Sequence, residues 1–240
     1  MKILITGGGG YIGSYIINNL PEKYDIICLD HGKKYSQFNK PAKKNVTFIK
    51  GDITDSKLLE KIMSKGIDTI IHCAGTVGNS LCMEDPMNAI SSHIHGTQLL
   101  IKKSIKFKVK RFIYMSTLAV YSTFAKRKTP FTENTELKPD DFYGTLKMIA
   151  EEYIQKNQPN YVILRLANVY GKARKTQNKT KLGAVENFIY AILEKTNITI
   201  YGTGKQKMEL VHIKDVYNCI LTILKNSKIK GEIFNVGSGK

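Results

Sequence analysis

The stretch that decides the fold is Lys2-Ile-Leu-Ile-Thr6-Gly-Gly-Gly-Gly10-Tyr-Ile-Gly13, where a buried-strand pattern runs into a glycine turn and then a helix-like segment. Glycines let the chain turn sharply and approach a pyrophosphate, and the helix start behind them offers free N–H groups and the positive end of its dipole. Glycines 8, 10 and 13 fit G-x-G-x-x-G, and glycines 7, 10 and 13 fit G-x-x-G-x-x-G. The stretch therefore predicts a dinucleotide-phosphate loop, with binding positions at Gly7, Gly10, Tyr11, Ile12 and Gly13.

Asp30 closes the next strand-like run, about 20 residues after the glycines, where a ribose ligand is expected. A carboxylate at this place accepts hydrogen bonds from the adenosine ribose and repels a 2′-phosphate, which favours NAD over NADP as the cofactor. Lys33 and Lys34 follow closely and offset part of that repulsion. The alternative is that Asp30 is only a turn residue at a strand end.

Strand-like and helix-like segments alternate along the 240 residues. This alternation predicts an α/β fold, a doubly wound parallel (Rossmann) sheet with helices on both faces. The predicted strands are 2–6, 25–30, 46–50, 69–73, 111–116, 161–166, 198–201 and 232–236, and the predicted helices lie near 11–20, 56–65, 86–106, 141–157, 182–195 and 214–226. We expect an NAD-binding Rossmann domain with the catalytic residues (1–171) and a small, partial substrate-binding lobe interleaved with the last Rossmann elements (172–240). The glycine-rich end suggests that this lobe is truncated.

The chain has 37 basic and 20 acidic residues, which gives a formal net charge of +17. Such a charge is typical of proteins that bind nucleic acid. Only four of the basic residues are arginine, on which specific base and phosphate readers rely. Dispersed lysine indicates compositional bias, so we expect no specific nucleic-acid partner. No apolar run is long enough to span a membrane, and no signal peptide precedes the first strand, so the expectation is a soluble cytoplasmic protein.

The cysteines and histidines do not form a recognisable metal or disulfide pattern. Cys28 and Cys73 lie in strand-like runs, which predicts buried free thiols. The histidines share no ligand spacing with a carboxylate, so we expect no metal site and assign His72, His93, His95 and His212 to structural or supporting roles.

Tyr143 and Lys147 form Tyr-x-x-x-Lys on a helix-like segment, which places both side chains on one helix face. A tyrosine with its reference pKa near 10 is a poor base at neutral pH, but a nearby ammonium and an oxidised nicotinamide ring both favour the phenolate. At an effective dielectric of about 20, a unit charge about 4 Å away contributes roughly 4 kcal/mol, or near three pKa units. The pair predicts a tyrosine that takes a proton from a sugar hydroxyl. The alternative is an ordinary surface helix pair.

Two hydroxyl residues, Ser116 and Thr117, end the strand-like run that begins at Arg111. The C-terminal ends of parallel strands line the cofactor crevice, so a hydroxyl there can hydrogen-bond the substrate oxygen while the tyrosine moves its proton. We predict substrate contact for Ser116 and a catalytic role for Thr117. The alternative is that they cap the next turn.

Together these features resemble the extended short-chain dehydrogenase/reductase family, in its branch of NAD-dependent nucleotide-sugar epimerases and dehydratases. The resemblance covers essentially the whole chain. Besides Thr6–Gly13 and Asp30, the motifs that carry it are Gly51-Asp52-Ile53-Thr-Asp55, His72-Cys-Ala-Gly75, Gly96-Thr97, Ser116-Thr117 with Val120-Tyr121, Tyr143-x-x-x-Lys147, Arg165-Leu-Ala-Asn168-Val-Tyr-Gly171, Tyr201-Gly-Thr-Gly204, Val211-His-Ile-Lys-Asp215-Val and Phe234-Asn-Val-Gly-Ser-Gly239.

The resemblance implies cofactor contacts at four further positions. Asp52 and Ile53 would hold the adenine, while Ala74 and Gly75 would pass close to the ribose and phosphate.

It also implies the catalytic roles. Thr117 would take the catalytic Ser/Thr place and Tyr143 would be the acid/base. Lys147 would bind the nicotinamide ribose and lower the tyrosine pKa. Asn168 would contact the phosphates of a sugar nucleotide, and hydride would pass between the substrate carbon and the nicotinamide.

Three departures from the family pattern bear on function. Leu118 and Ala119 follow the catalytic threonine where the family's dehydratases carry an Asp-Glu pair, which argues against 4,6-dehydration. His93 stands where the family usually has asparagine. Met208 stands where the family usually has an arginine for the nucleotide diphosphate, and a methionine cannot make that charge-assisted contact. We expect Lys207, or a basic loop at 172–181 that closes over the pyrophosphate, to supply the charge instead.

The favoured function is an NAD-dependent epimerase of a nucleotide-activated sugar, acting as a homodimer. One alternative is an NAD(P)-dependent nucleotide-ketosugar reductase. Another is a catalytically idle dinucleotide-binding or sensing protein, which Met208 favours and the intact Thr117, Tyr143 and Lys147 set opposes. These residues identify neither the base nor the sugar.

Overall fold

The computed structural model describes residues 1–32, 43–122, 130–171, 183–200, 203–205 and 207–239. Within them the strands are β1 (Lys2–Thr6), β2 (Asp25–Asp30), β3 (Val46–Lys50), β4 (Thr69–His72), β5 (Arg111–Thr117), β6 (Tyr161–Leu166), β7 (Asn168–Tyr170), β8 (Leu210–His212) and β9 (Glu232–Val236). The α-helices are α1 (Tyr11–Asn19), α2 (Ser56–Met63), α3 (Asn79–Glu84), α4 (Pro86–Ile90), α5 (Thr97–Lys106), α6 (Phe142–Asn157), α7 (Ala184–Leu193) and α8 (Ile213–Lys225). A π-helical turn, Ser91–Gly96, joins α4 to α5.

Seven strands form one parallel sheet in the order β3-β2-β1-β4-β5-β6-β9. The central strands β1, β2, β4, β5 and β6 are buried almost throughout, as a sheet covered by helices requires, whereas the edge strands β3 and β9 are partly exposed. One face packs against α1 and α8, and the other against α2, α5 and α6. The predicted doubly wound α/β fold is confirmed. The elements α8 and β9 return to these layers from beyond residue 171.

The strand order reverses between β1 and β4. The chain runs outward from β1 through β2 to β3, and then returns to the other side of β1 as β4. At such a reversal the connections leave in opposite directions, and a crevice opens beyond the carboxyl ends of the two strands. The glycine loop follows β1 and the segment Cys73–Gly75 follows β4, so both line this crevice.

Some predicted elements were wrong. Residues 198–200 form no strand, and Ile198 and Ile200 are exposed; Tyr201 lies outside the described residues. A small parallel sheet of β7 and β8 forms instead, which the sequence did not predict. The predicted helix 86–106 is interrupted by the π-helical turn, and α3 precedes it unpredicted.

No helix in the described part of the chain is both long and apolar enough to cross a membrane. All four cysteines are free, with Cys28 and Cys82 buried and Cys73 and Cys219 partly buried.

Candidate active site

The glycine loop touches the end of β4 at Gly7. Its φ is +65°, a left-handed conformation that side chains disfavour, and a Cβ there would lie 2.6 Å from the backbone nitrogen of Ala74. The Gly7 carbonyl accepts from the Gly10 N–H at 2.7 Å, and α1 begins directly afterwards. Helix geometry leaves the first N–H groups of α1 without intrahelical acceptors. The loop therefore has the shape and the donors of a phosphate cradle, as the sequence predicted.

Asp30 is buried at the end of β2, beside this loop. One carboxylate oxygen accepts from the Gly9 N–H at 3.0 Å, and the other accepts from the Gly32 N–H at 2.9 Å. Both backbone contacts hold the carboxylate in one place, and each oxygen keeps a lone pair for a ribose hydroxyl. Asp30 thus stabilises the turn, and its role as a ribose ligand stays a prediction. Lys33 and Lys34 lie outside the described residues.

The predicted adenine positions follow β3. Asp52 is exposed, and its Oδ1 accepts from both the backbone N–H and the hydroxyl of Thr54, at 2.9 and 2.8 Å. Ile53 is buried in the apolar core beneath this side of the crevice. The local turn leaves the second oxygen of Asp52 available to an adenine amine.

Thr117 lies at the end of β5, facing the start of α6. The Thr117 hydroxyl oxygen accepts from the Ala119 N–H at 3.2 Å. Asp141 caps α6 by accepting from the Gly144 N–H at 2.7 Å, which fixes where the helix and its Tyr143 begin. The start of α6 packs closely against the turn after β5. Glycine is needed at position 144 for this packing, because a Cβ there would lie 2.2 Å from the Ala119 carbonyl oxygen.

Lys147 lies one turn further along α6 and is buried, with 5% of its surface exposed. Its Nζ donates to the Met115 carbonyl at 2.7 Å and lies 4.6 Å from the centre of the Tyr114 ring. The same Nζ is 5.9 Å from the centre of the Tyr143 ring. Tyr143 and Lys147 are therefore neighbours, and Lys147 contacts β5 two residues before Thr117, at the carboxyl edge of the sheet.

Burial dominates the electrostatics of this group. It lowers the pKa of Lys147 to about 8, although Cys73, Glu151 and Cys82 act in the opposite direction. Burial also raises the pKa of Tyr143 above its ordinary value, with smaller contributions from Cys82 and Asp141. In the protein alone the net shift of the Tyr143 pKa is therefore upward, because burial outweighs any nearby positive charge. Favouring the phenolate would take further positive charge beside the ring, such as that of an oxidised nicotinamide.

His93 fills the place where the family usually has asparagine. In the π-helical turn, its Nε2–H donates to the Thr76 carbonyl at 2.7 Å, and its ring meets the Tyr143 ring edge-on, 5.8 Å between centres. Burial, and secondarily Lys147, lower the pKa of His93 to about 3 against the opposing effect of the Thr76 carbonyl. A neutral His93 thus supports both the loop after β4 and the catalytic tyrosine.

Replacing His93 with asparagine is expected to make folding less sensitive to acid. The unfolded chain binds a proton at this histidine near pH 6.5, but the folded chain binds it only near pH 3, so stability is lost as the pH falls through that window. Between pH 7 and 5 the wild type should lose about 2 kcal/mol more unfolding free energy than His93→Asn. Urea unfolding at pH 7, 6 and 5 measures the difference. Parallel losses in the two proteins would contradict a buried, neutral His93.

The residues predicted to bind substrate differ in burial and in their contacts. Ser116 is buried, and its hydroxyl donates to the Glu151 carboxylate, so its placement as a substrate ligand is corrected: it faces the interior. Asn168 is exposed, and its backbone N–H and side-chain amide both donate to the Glu209 carbonyl, at 3.1 and 3.2 Å. Lys207 and Met208 are exposed. The basic loop 172–181 lies outside the described residues.

The sequence did not predict the pairing of Glu151 with Arg165. They form a buried ion pair, with 0% and 3% of their side chains exposed. Glu151 lies four residues after Lys147, on the same face of α6. A carboxylate at this spacing is the feature of the sequence from which the buried pair could have been predicted.

The family model described as NAD dependent epimerase/dehydratase family matches residues 3–237. A putative UDP-glucose 4-epimerase of Methanocaldococcus jannaschii is 33% identical over 244 residues, which are 99% of this chain and 77% of that protein. The dTDP-D-glucose 4,6-dehydratase of Bos taurus is 30% identical over 249 residues, covering 99% of this chain and 68% of that protein. The crystal structure of UDP-glucose 4-epimerase from Thermotoga maritima with UDP-glucose shares the fold with a TM-score of 0.89 at 28% identity, over 100% of this chain and 78% of that one. The match along nearly the whole chain agrees with the glycine loop and the Thr117, Tyr143 and Lys147 group, and the chain belongs to the NAD-dependent epimerase/dehydratase family of extended short-chain dehydrogenase/reductase enzymes.

Proposed function

We propose that the protein is an NAD-dependent epimerase that acts on a nucleotide-activated sugar. The observation that carries this proposal is that the glycine loop, Asp30 and the group Thr117, Tyr143 and Lys147 line one edge of one sheet. A cofactor on the loop and a sugar beside Tyr143 would then be neighbours.

The residues at this edge fit NAD. Gly7 lets the loop pack directly against the backbone of Ala74, and Ile12 and Gly13 lie in the first turn of α1, whose N–H groups lack intrahelical acceptors and can bind a phosphate. The Asp30 carboxylate would accept from the ribose hydroxyls and disfavour a 2′-phosphate. Lys147 would hold the nicotinamide ribose. When bound, NAD supplies the acceptor and the donor of a hydride.

Residues of the protein transfer the proton. Tyr143 takes the proton of a sugar hydroxyl as a phenolate, which the Lys147 ammonium stabilises. The Thr117 oxygen accepts from the Ala119 N–H, so its own hydrogen can be donated to the substrate oxygen. If the resulting ketosugar turned in the site, hydride could be added to the opposite face of its carbon, and Tyr143 would return the proton to the same oxygen. The result is inversion at one carbon.

Epimerisation is favoured over dehydration by the residues directly after Thr117. Leu118 and Ala119 begin a short 3-10 turn, and neither side chain can transfer a proton. Elimination of water needs an acid and a base at the substrate carbon, which the family's dehydratases carry at these two places.

The experiment is a panel of UDP-, dTDP-, CDP- and GDP-sugars with NAD or NADP, followed by thermal shift and by NMR of the products. We expect one sugar nucleotide to convert to its epimer with a catalytic quantity of NAD, and NAD to stabilise the protein more than NADP does. Stoichiometric consumption of NAD(P)H would instead identify a ketosugar reductase. Stabilisation by a cofactor but by no sugar nucleotide, without turnover, would indicate an idle dinucleotide-binding protein. The 172–240 substrate lobe and the homodimer stay predictions.

A further inference from the structure

A buried carboxylate, that of Glu151, accepts hydrogen bonds from two different elements of the sheet. The Arg165 guanidinium on β6 donates through Nη2 at 2.7 Å and through Nε at 3.0 Å to one carboxylate oxygen. The other oxygen accepts from the Ser116 hydroxyl on β5 and from Arg165 Nε at 3.2 Å. Because Glu151 is fully buried, these donors replace the water that would otherwise solvate its charge.

These contacts connect to the predicted catalytic residues through short pieces of backbone. Glu151 lies on the same face of α6 as Tyr143 and Lys147, at intervals of four residues. Ser116 immediately precedes Thr117 in β5. The Glu151 carboxylate therefore joins the strand end that carries Thr117 to the helix that carries Tyr143.

Arg165 extends this connection to the segment between β5 and α6. Its Nη1 donates to the Tyr121 hydroxyl at 2.6 Å and to the Glu133 carbonyl at 3.0 Å. The Tyr121 hydroxyl donates in turn to the Asn235 side chain at 2.9 Å, and its ring stacks on Phe131 with 4.7 Å between centres. One guanidinium thus binds two separate parts of the segment between β5 and α6, at Tyr121 and at Glu133.

We propose that Glu151 and Arg165 are positioning residues that hold Thr117 and Tyr143 at the distance that proton transfer requires. A contribution to stability alone does not explain the pair. A protein in which well-packed apolar residues of similar volume replace a buried ion pair is often at least as stable. A bidentate guanidinium and carboxylate do, however, fix relative orientation. A displacement of about 1 Å at a reacting group can cost about 100-fold in rate. The inference rests on the proposed function for its activity measurement only.

The test uses three variants of the full chain. Glu151→Gln keeps the shape but turns an NH₂ group toward donors, so one of the contacts to Arg165 or Ser116 is lost. Ser116→Ala removes only the tie to β5 and leaves the ion pair in place. Glu152→Gln is the matched control, because this neighbouring carboxylate on α6 is exposed and pairs only with exposed Lys156.

We expect Glu151→Gln to lower kcat by about tenfold or more and Ser116→Ala by several-fold, with KM and NAD affinity within about twofold of wild type. Glu152→Gln should leave all three unchanged. A kcat per folded molecule equal to that of wild type in both Glu151→Gln and Ser116→Ala would overturn the proposal, even if both unfold at lower temperature. If Glu151→Gln does not fold, Ser116→Ala decides alone.

A second readout needs no substrate. With 3-fluorotyrosine placed at position 143, the fluorine NMR signal of the NAD complex reports the surroundings of that ring. The signal should move in Ser116→Ala and Glu151→Gln but not in Glu152→Gln, and an unmoved signal in all three would overturn the proposal. If the wild type turns over no sugar nucleotide, the proposed function fails while this signal still decides the positioning role.

Discussion

Replacing Tyr143 with phenylalanine is expected to lower kcat by about 10³-fold, within the range of about 10² to 10⁴ typical of a lost acid/base group. The change removes one oxygen and keeps the ring, which packs edge-on against His93 and lies 5.9 Å from Lys147 Nζ. Folding and NAD affinity should therefore stay close to those of wild type. The measurement is turnover of the sugar nucleotide found in the panel, beside the NAD dissociation constant by calorimetry.

Tyr153→Phe is the matched control for Tyr143→Phe. Tyr153 lies on the same helix, ten residues later, with its ring packed against the hydrophobic core beneath the sheet helices. Its hydroxyl should contribute nothing to kcat. Near wild-type turnover in Tyr143→Phe would remove this residue as the acid/base.

Gly7→Ala is expected to cost about 3 kcal/mol of stability and at least about 100-fold in NAD affinity. Two costs add. The φ of +65° disfavours any side chain by about 1–2 kcal/mol, and the new Cβ would lie 2.6 Å from the nitrogen and 2.7 Å from the Cα of Ala74. Those atoms are backbone, so β1 and β4 must separate at the edge where the cofactor binds. Urea unfolding and NAD calorimetry measure the two losses.

Gly66→Ala separates the two costs. Gly66 has a similar φ of +78°, but no atom lies within 4 Å of a Cβ built there. This variant should lose only about 1–2 kcal/mol and bind NAD as wild type does. Equal losses in both variants would show that contact with Ala74 is not what requires glycine at position 7.

The sheet could be predicted because its pattern is local. The bounds of β1, β2, β3, β6 and β9 agree with the predicted strands, since each is a short run rich in apolar and β-branched residues. The run at 198–201 has the same local pattern but finds no neighbouring strand, and 198–200 stays irregular. The pairing of β7 with β8 joins residues about 40 positions apart, which no local pattern encodes.

The site could be predicted only in part. Thr117, Tyr143 and Lys147 were predicted from strand ends and helical spacing; in the structure Tyr143 and Lys147 are neighbours, and Thr117 ends the strand that Lys147 contacts. Ser116 was placed on the wrong side of the site, because residues in a strand alternate faces and the strand end alone does not say which face is which. Only the position of Glu151, 35 residues away, shows that the Ser116 hydroxyl points into the interior.

The sequence by itself determined the fold class, the family and the dinucleotide loop, because each depends on short motifs whose order and spacing are written along the chain. The tertiary structure alone decided the direction in which the pKa values of Lys147, Tyr143 and His93 shift and the pairing of Glu151 with Arg165. Those properties depend on burial and on partners brought from distant segments, since the cost of holding a charge is set by the surroundings that folding creates. The glycine loop therefore indicates which cofactor class binds, while the buried charges around α6 decide how the residues beside it can act.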